Sequence, residues 1–196
     1  MATPRRSRTP NASWASGNCH MELESKDLKG WLQAFVMLRV QMIKTKRPGG
    51  LNGYWGLEDF ILHQGRIWPV LKGGDVPRGK AGECFRNAMN LALDHQDYIY
   101  CEGYATGGLM PVQHAWCLDQ EGRVVDPTWH HLPSKPGHKD RGEYIGIAVK
   151  QDFVREITLM TEVYSGVIDL PKWDYPIFMA PIQVWKHPVT SKGVPI

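Results

Sequence analysis

Three residues of different type stand where their surroundings favour chemistry: Cys84, His114 and Asp126. The run Gly79-Lys-Ala-Gly82-Glu83-Cys84 places a thiol where a glycine-rich loop turns into a helix. There it faces unpaired N–H groups and the positive end of the helix dipole, both of which favour the thiolate, the attacking form of cysteine. His114 stands near the start of a strand-like run, Val112-Gln-His-Ala-Trp116, and can serve as the base. Asp126 ends the next extended run, twelve residues later, and can fix the imidazole tautomer and stabilise its cation. These types together point to thiol acyl-transfer chemistry on an amide-type bond.

For the three to meet, the elements around them must fold in a particular way. Apolar residues at Leu28, Trp31, Leu32, Phe35, Val36 and Val40 recur at helical spacing, with Ser25 as the expected cap and Pro48-Gly49-Gly50 as the stop. A weaker helical pattern covers Leu57, Phe60 and Ile61 and extends towards Trp68. A third helix is predicted from Cys84, buried through Phe85, Ala88, Met89, Ala92 and Leu93 and fading at Asp94–Asp97. Extended runs follow at Tyr98–Ala105, Val112–Leu118 and Arg123–Asp126, the last two joined by a hairpin turn at Asp119–Gly122. Pairing through that turn would lay the carboxylate of Asp126 beside His114. A loop over Trp129–Gly142, a strand at Tyr144–Val149, a helix from Asp152 to Tyr164 and a Pro- and Trp-rich tail after Gly166 complete the reading. Helices first and a mostly antiparallel sheet after them argue for the α+β class.

With these elements in view, the chain resembles the transglutaminase-like branch of the papain-like cysteine enzymes. The residues that carry the resemblance are Gly82-Glu83-Cys84 opening a helix, Gly103-Tyr104 in a strand, His114-Ala115-Trp116 in the next, and Asp126-Pro127-Thr128-Trp129 after a turn. They span residues 79–129, about a quarter of the chain. The resemblance implies a papain-like core, with helices packed on the sheet and the nucleophile at a helix N-terminus. It also implies a thioester intermediate, with Cys84 as nucleophile, His114 as base and Asp126 as the orienting acid. An arginine often found in the first strand of this group is replaced by Tyr98 and Tyr100, and the region beyond Trp129 matches nothing in the family pattern.

Tyr104, Trp116 and Trp129 are expected to wall the pocket and keep water from the ion pair. Gln64 or Gln113 could donate to an oxyanion, but the backbone N–H of Cys84 is the safer candidate. Cys101 and Cys117 stand in apolar runs and read as inert buried thiols. His130, His131, His138 and Asp140 share a segment broken by Pro and Gly, with no metal-ligand spacing, so neither a metal nor any cofactor is expected. Asp126, as a polar group at a strand end, is expected to be solvated, so that its amide variant would fold normally.

The composition fits one domain: 196 residues, 42% hydrophobic and 22% charged, with a net charge of only +3. Residues 1–24, with Arg5, Arg6 and Arg8 among small polar residues, read as a disordered basic arm ahead of a single domain over 25–196. Three arginines do not make nucleic acid an expected partner, and no apolar run suggests a signal peptide or a membrane span. The expected compartment is cytoplasmic. A protein or peptide is the expected substrate, through a peptide, isopeptide or glutamine-type amide. Hydrolysis is favoured over transfer, because water is always at hand. Two other readings stay open. One is an acyltransferase like the arylamine N-acetyltransferases; the other is a binding or modulator protein with an idle triad. Oligomeric state is not legible.

Overall fold

A computed structural model describes residues 27–42, 53–68, 75–106, 110–129, 142–190 and 193–195. The elements run α1 (Leu28–Met42), α2 (Leu57–Gln64), β1 (Arg66–Trp68), α3 (Cys84–Asp94), β2 (Ile99–Thr106), β3 (Pro111–Leu118), β4 (Val124–Val125), β5 (Tyr144–Ala148) and α4 (Gln151–Thr161). A 3₁₀ turn (Pro171–Trp173) and two short helices, α5 (Pro176–Met179) and α6 (Ile182–Trp185), follow. The five strands form one antiparallel sheet in the order β1-β5-β2-β3-β4. The architecture is therefore α+β.

Side-chain alternation divides the sheet into two faces. Tyr100 and Tyr104 of β2, Ala115 and Cys117 of β3, and Ile145 and Ile147 of β5 share one buried cluster with Leu28 and Leu32 of α1, Phe60 and Ile61 of α2, Ala88 and Met89 of α3, and Val154 and Ile157 of α4. The helices thus cover one face. Cys101, Ala105, Trp116, Leu118, Tyr144 and Ala148 point the other way and form a second core with Trp68.

Local sequence explains several of the element ends. The carboxylate of Asp27 accepts the backbone N–H of Gly30 at 2.7 Å and so caps α1. Ser25, the cap expected from the sequence, lies outside the described residues. The turn between β3 and β4 is built by Asp119, whose Oδ1 accepts the N–H groups of Glu121 and Arg123 while Gly122 takes a positive φ of 75°. Trp68 does not extend α2. It belongs to β1, where it pairs with Tyr144 and its ring meets Trp116 edge-on at 5.9 Å. Gly65, in extended conformation, ends the helix three residues earlier.

The tail is part of the core. Leu170, Ile177, Phe178 and Trp185 are buried, and Phe178 packs on Phe60 of α2 with centroids 4.6 Å apart. Buried Glu102 of β2 pins the start of this segment by accepting the N–H groups of Val167 at 2.6 Å and Ile168 at 3.2 Å, while Tyr100 donates to it at 2.8 Å. Burial pushes the carboxyl of Glu102 up to about 7, against the pull of these three donors. No helix among the described residues is long and apolar enough to cross a membrane.

Candidate active site

Cys84 is the first residue of α3, preceded by Glu83, whose side chain makes no capping hydrogen bond to the helix. The N–H groups of the first turn are thus left open, and that of Phe85 bears on the Cys84 sulfur. The N–H of Ala115 also favours the thiolate of Cys84. Its nearness follows from the shape of the sheet. β4 pairs with β3 only at Cys117 and Leu118, so among the described residues no strand covers the edge of β3 at residues 113–116. α3 packs on the helical face against β3 and β2, which brings the half-buried thiol near the Ala115 N–H on that open edge.

His114 projects from the opposite face, level with Gly103 of β2. Its Nε2–H donates to Asp126 Oδ2 at 2.6 Å, with both side chains buried. This engages Nε2 and leaves Nδ1 for the Cys84 sulfur, near enough that each group shifts the proton affinity of the other. Cys84 and His114 therefore come from different faces and approach each other across the rim of β3.

Asp126 is 2% exposed, not solvated as a strand-end carboxylate was expected to be. Its Oδ1 accepts the backbone N–H groups of Thr128 at 2.8 Å and Trp129 at 2.9 Å, and Oδ2 accepts both His114 and the hydroxyl of Tyr144, the latter at 2.8 Å. The sequence Asp-Pro-Thr-Trp makes this possible, because the turn folds its own N–H groups back onto the carboxylate.

The charges of the site follow from these contacts. Burial disfavours an imidazolium at His114, but the Asp126 bond and the Cys84 contact outweigh it and raise the ring to about 9. Burial likewise opposes the Cys84 thiolate, yet the hydrogen bond and charge of His114, with the two backbone N–H groups, bring the thiol below its ordinary value. Asp126 is held below its usual range, because His114 and the N–H groups overcome its desolvation. The arrangement favours a thiolate–imidazolium pair backed by a carboxylate.

Of the three residues expected to wall the site, Trp129 does so: its ring stacks on His114 with centroids 3.8 Å apart. Trp116 is one layer removed and meets Tyr144 edge-on at 5.0 Å within the second core. Tyr104 lies on the helical face, its hydroxyl donating to Glu58 at 3.1 Å and bonded to Gln113. It makes no contact with His114 or Asp126 of the kind that Trp129 makes. Neither glutamine considered for an oxyanion role turns to Cys84: Gln113 engages Tyr104, and Gln64 donates to the hydroxyl of Tyr54 at 2.8 Å. Cys101 and Cys117 are buried, and desolvation pushes both thiols well up. His130, His131, His138 and Asp140, like Cys19 and Arg5, Arg6 and Arg8, lie outside the described residues.

Two supports carried no sequence signal. Tyr144, at the head of β5, reaches Asp126 from a strand that is remote in the chain. Asn87, one turn after Cys84, donates to the carbonyl of Lys80 at 2.8 Å and to Thr128 Oγ1 at 2.9 Å. With the Gly79 N–H donating to the Pro127 carbonyl at 2.8 Å, it sews the loop before Cys84 to the Asp126 turn. Two cavities of about 570 Å³ each open elsewhere, against β1 and β5 and beside the start of α4, and neither is lined by Cys84, His114 or Asp126. No family model, curated protein or solved structure matches the chain, so geometry and electrostatics carry the functional reading.

Proposed function

We propose that this protein is a cysteine-dependent hydrolase of amide bonds, working through a thioester at Cys84 on a papain-like, transglutaminase-like core. The observation that carries the reading is His114, hydrogen-bonded to buried Asp126 and lying beside Cys84, so that the charges of the first pair are biased towards thiolate and imidazolium. The thiolate attacks the substrate carbonyl, and the resulting oxyanion is within the field of the open first turn of α3. The imidazolium gives its proton to the departing amine as the C–N bond breaks, leaving a thioester and neutral His114. That neutral ring then takes a proton from water as the water attacks the thioester. Collapse releases the acid and restores the thiolate–imidazolium pair. Asp126 holds the ring and stabilises its cation throughout. A protein or peptide amide is the proposed substrate.

Alkylation tests the nucleophile without a known substrate. At about pH 6, iodoacetamide should modify Cys84 faster than it modifies free cysteine, whose thiol ionises near 8.5. Peptide mapping identifies the labelled residue. Replacing His114 with Ala should abolish that advantage, because the thiolate loses its cationic partner. A Cys84 that reacts no faster than free cysteine, or a His114→Ala variant that labels like the wild type, would overturn the proposal.

A further inference from the structure

Asp126 Oδ2 takes two donors at once, and the second has no part in the proposed reaction. The Tyr144 hydroxyl donates to it at 2.8 Å, beside the His114 Nε2–H at 2.6 Å, and Tyr144 is 6% exposed. Its ring is held by Trp116, at 5.0 Å edge-on, and inclines towards His114 at 6.0 Å. We propose that Tyr144 is a positioning residue that acts through Asp126 to limit the hold of the carboxylate on the imidazolium, and so sets the pH range over which Cys84 is a paired thiolate. The inference rests on the hydrolase reading and names a control on the same site.

Two donors on one carboxylate oxygen compete for its negative charge, so each bond is weaker than it would be alone. Asp126 does not need Tyr144 for its orientation, because Oδ1 is already fixed by the N–H groups of Thr128 and Trp129. What the hydroxyl changes is the charge left on Oδ2 for His114. A general acid must hold its proton at neutral pH and still release it to a leaving amine, and too strong a carboxylate would make the ring reluctant to give it up. The titratable groups around the pair are Cys84 from α3, Asp126 from the turn after β4, Tyr144 from β5, Cys117 of β3 and, near Cys84, Tyr100 of β2. Of these, Cys117 and the two tyrosines are buried and pushed upward, so across neutral pH they stay neutral. Tyr144 therefore remains a donor over the whole working range.

The experiment follows the pH range of the pair in two variants. Thiolate absorbance and iodoacetamide rates are recorded against pH, with Cys84→Ser subtracted. Tyr144→Phe keeps the ring and its packing but removes the donor, so the paired-thiolate range should widen by about one pH unit in total, the acid limb moving down and the alkaline limb up. Substituting 3-fluorotyrosine, a stronger donor of the same shape, should narrow it. A residue that serves only packing would change the unfolding midpoint and leave both limbs in place. Should the Phe variant fail to fold, the fluorotyrosine protein decides alone, and unmoved limbs there overturn the inference. Unmoved or narrowed limbs in a folded Phe variant do the same. If wild-type Cys84 shows no low-pH reactivity, the hydrolase reading falls; if it does and the variants leave the limbs unmoved, only the role of Tyr144 falls.

Discussion

At the scale of single residues, the burial of Asp126 changes what its amide variant should do. Asp126→Asn keeps the shape but turns one end of the group from acceptor to donor. Either the two backbone N–H groups or the His114 and Tyr144 donors then face an N–H₂. Leaving buried donors unpaired costs about 1–3 kcal/mol. We expect a lower urea midpoint together with at least a ~10-fold loss of Cys84 alkylation at pH 6, as the imidazolium loses its carboxylate. Wild-type values for both would make Asp126 an ordinary turn residue. His114 supplies a second expectation. Its folded value of about 9 lies above the ordinary 6.5, so protonation stabilises the fold fully below pH 6.5, and this contribution disappears as pH rises through 9. The stability difference between wild type and His114→Ala should therefore shrink by on the order of 3 kcal/mol between pH 6 and pH 10. A difference that does not vary with pH would mean that the ring is neutral throughout.

At the scale of elements, what the sequence makes legible and what it hides divide by range. The helix opening at Cys84, the two strands after it and the Asp119–Gly122 turn are written in local spacing and turn chemistry, and so the approach of Cys84, His114 and Asp126 is readable from connectivity. β1 is three residues long and exists because Trp68 pairs with Tyr144, far along the chain; no periodicity announces it. The Tyr144 and Asn87 contacts are hidden for the same reason. The burial of Asp126 depends on tertiary neighbours rather than on its place at a strand end. Glycines show another long-range demand. Gly103 and Gly146 face each other across β2 and β5 in the row that begins at His114. A Cβ on Gly146 would fall 2.3 Å from the Glu102 carbonyl and 2.6 Å from the Trp116 ring. Gly146→Ala should thus destabilise by about 1–3 kcal/mol through overpacking, read as a reduced urea midpoint. An unchanged midpoint would show that the Trp116 ring and its neighbours yield freely.

At the scale of the whole molecule, the segment after Gly166 belongs to the main core rather than to its surface. Phe178 packs against Phe60, Tyr54 and Tyr175, and its loss leaves a cavity that those rings cannot close. Phe178→Ala should cost about 3–5 kcal/mol, and a chain ending at Ser165 should show no cooperative unfolding transition. A truncated chain that unfolds cooperatively near the wild-type midpoint would place the tail outside the folding unit.

That placement also orders events in time. A chain emerging during synthesis presents Cys84, then His114 and Asp126, well before Ile177, Phe178 and Trp185 complete the cluster to which Ala88, Met89 and Ala92 of α3 belong. Until those residues arrive, the cluster that α3 shares with them is incomplete, and the surroundings that favour the thiolate are not yet fixed. On the proposed reading, the nucleophile is thus made early and armed late, which would spare the growing chain, and whatever lies beside it, an unguarded reactive sulfur.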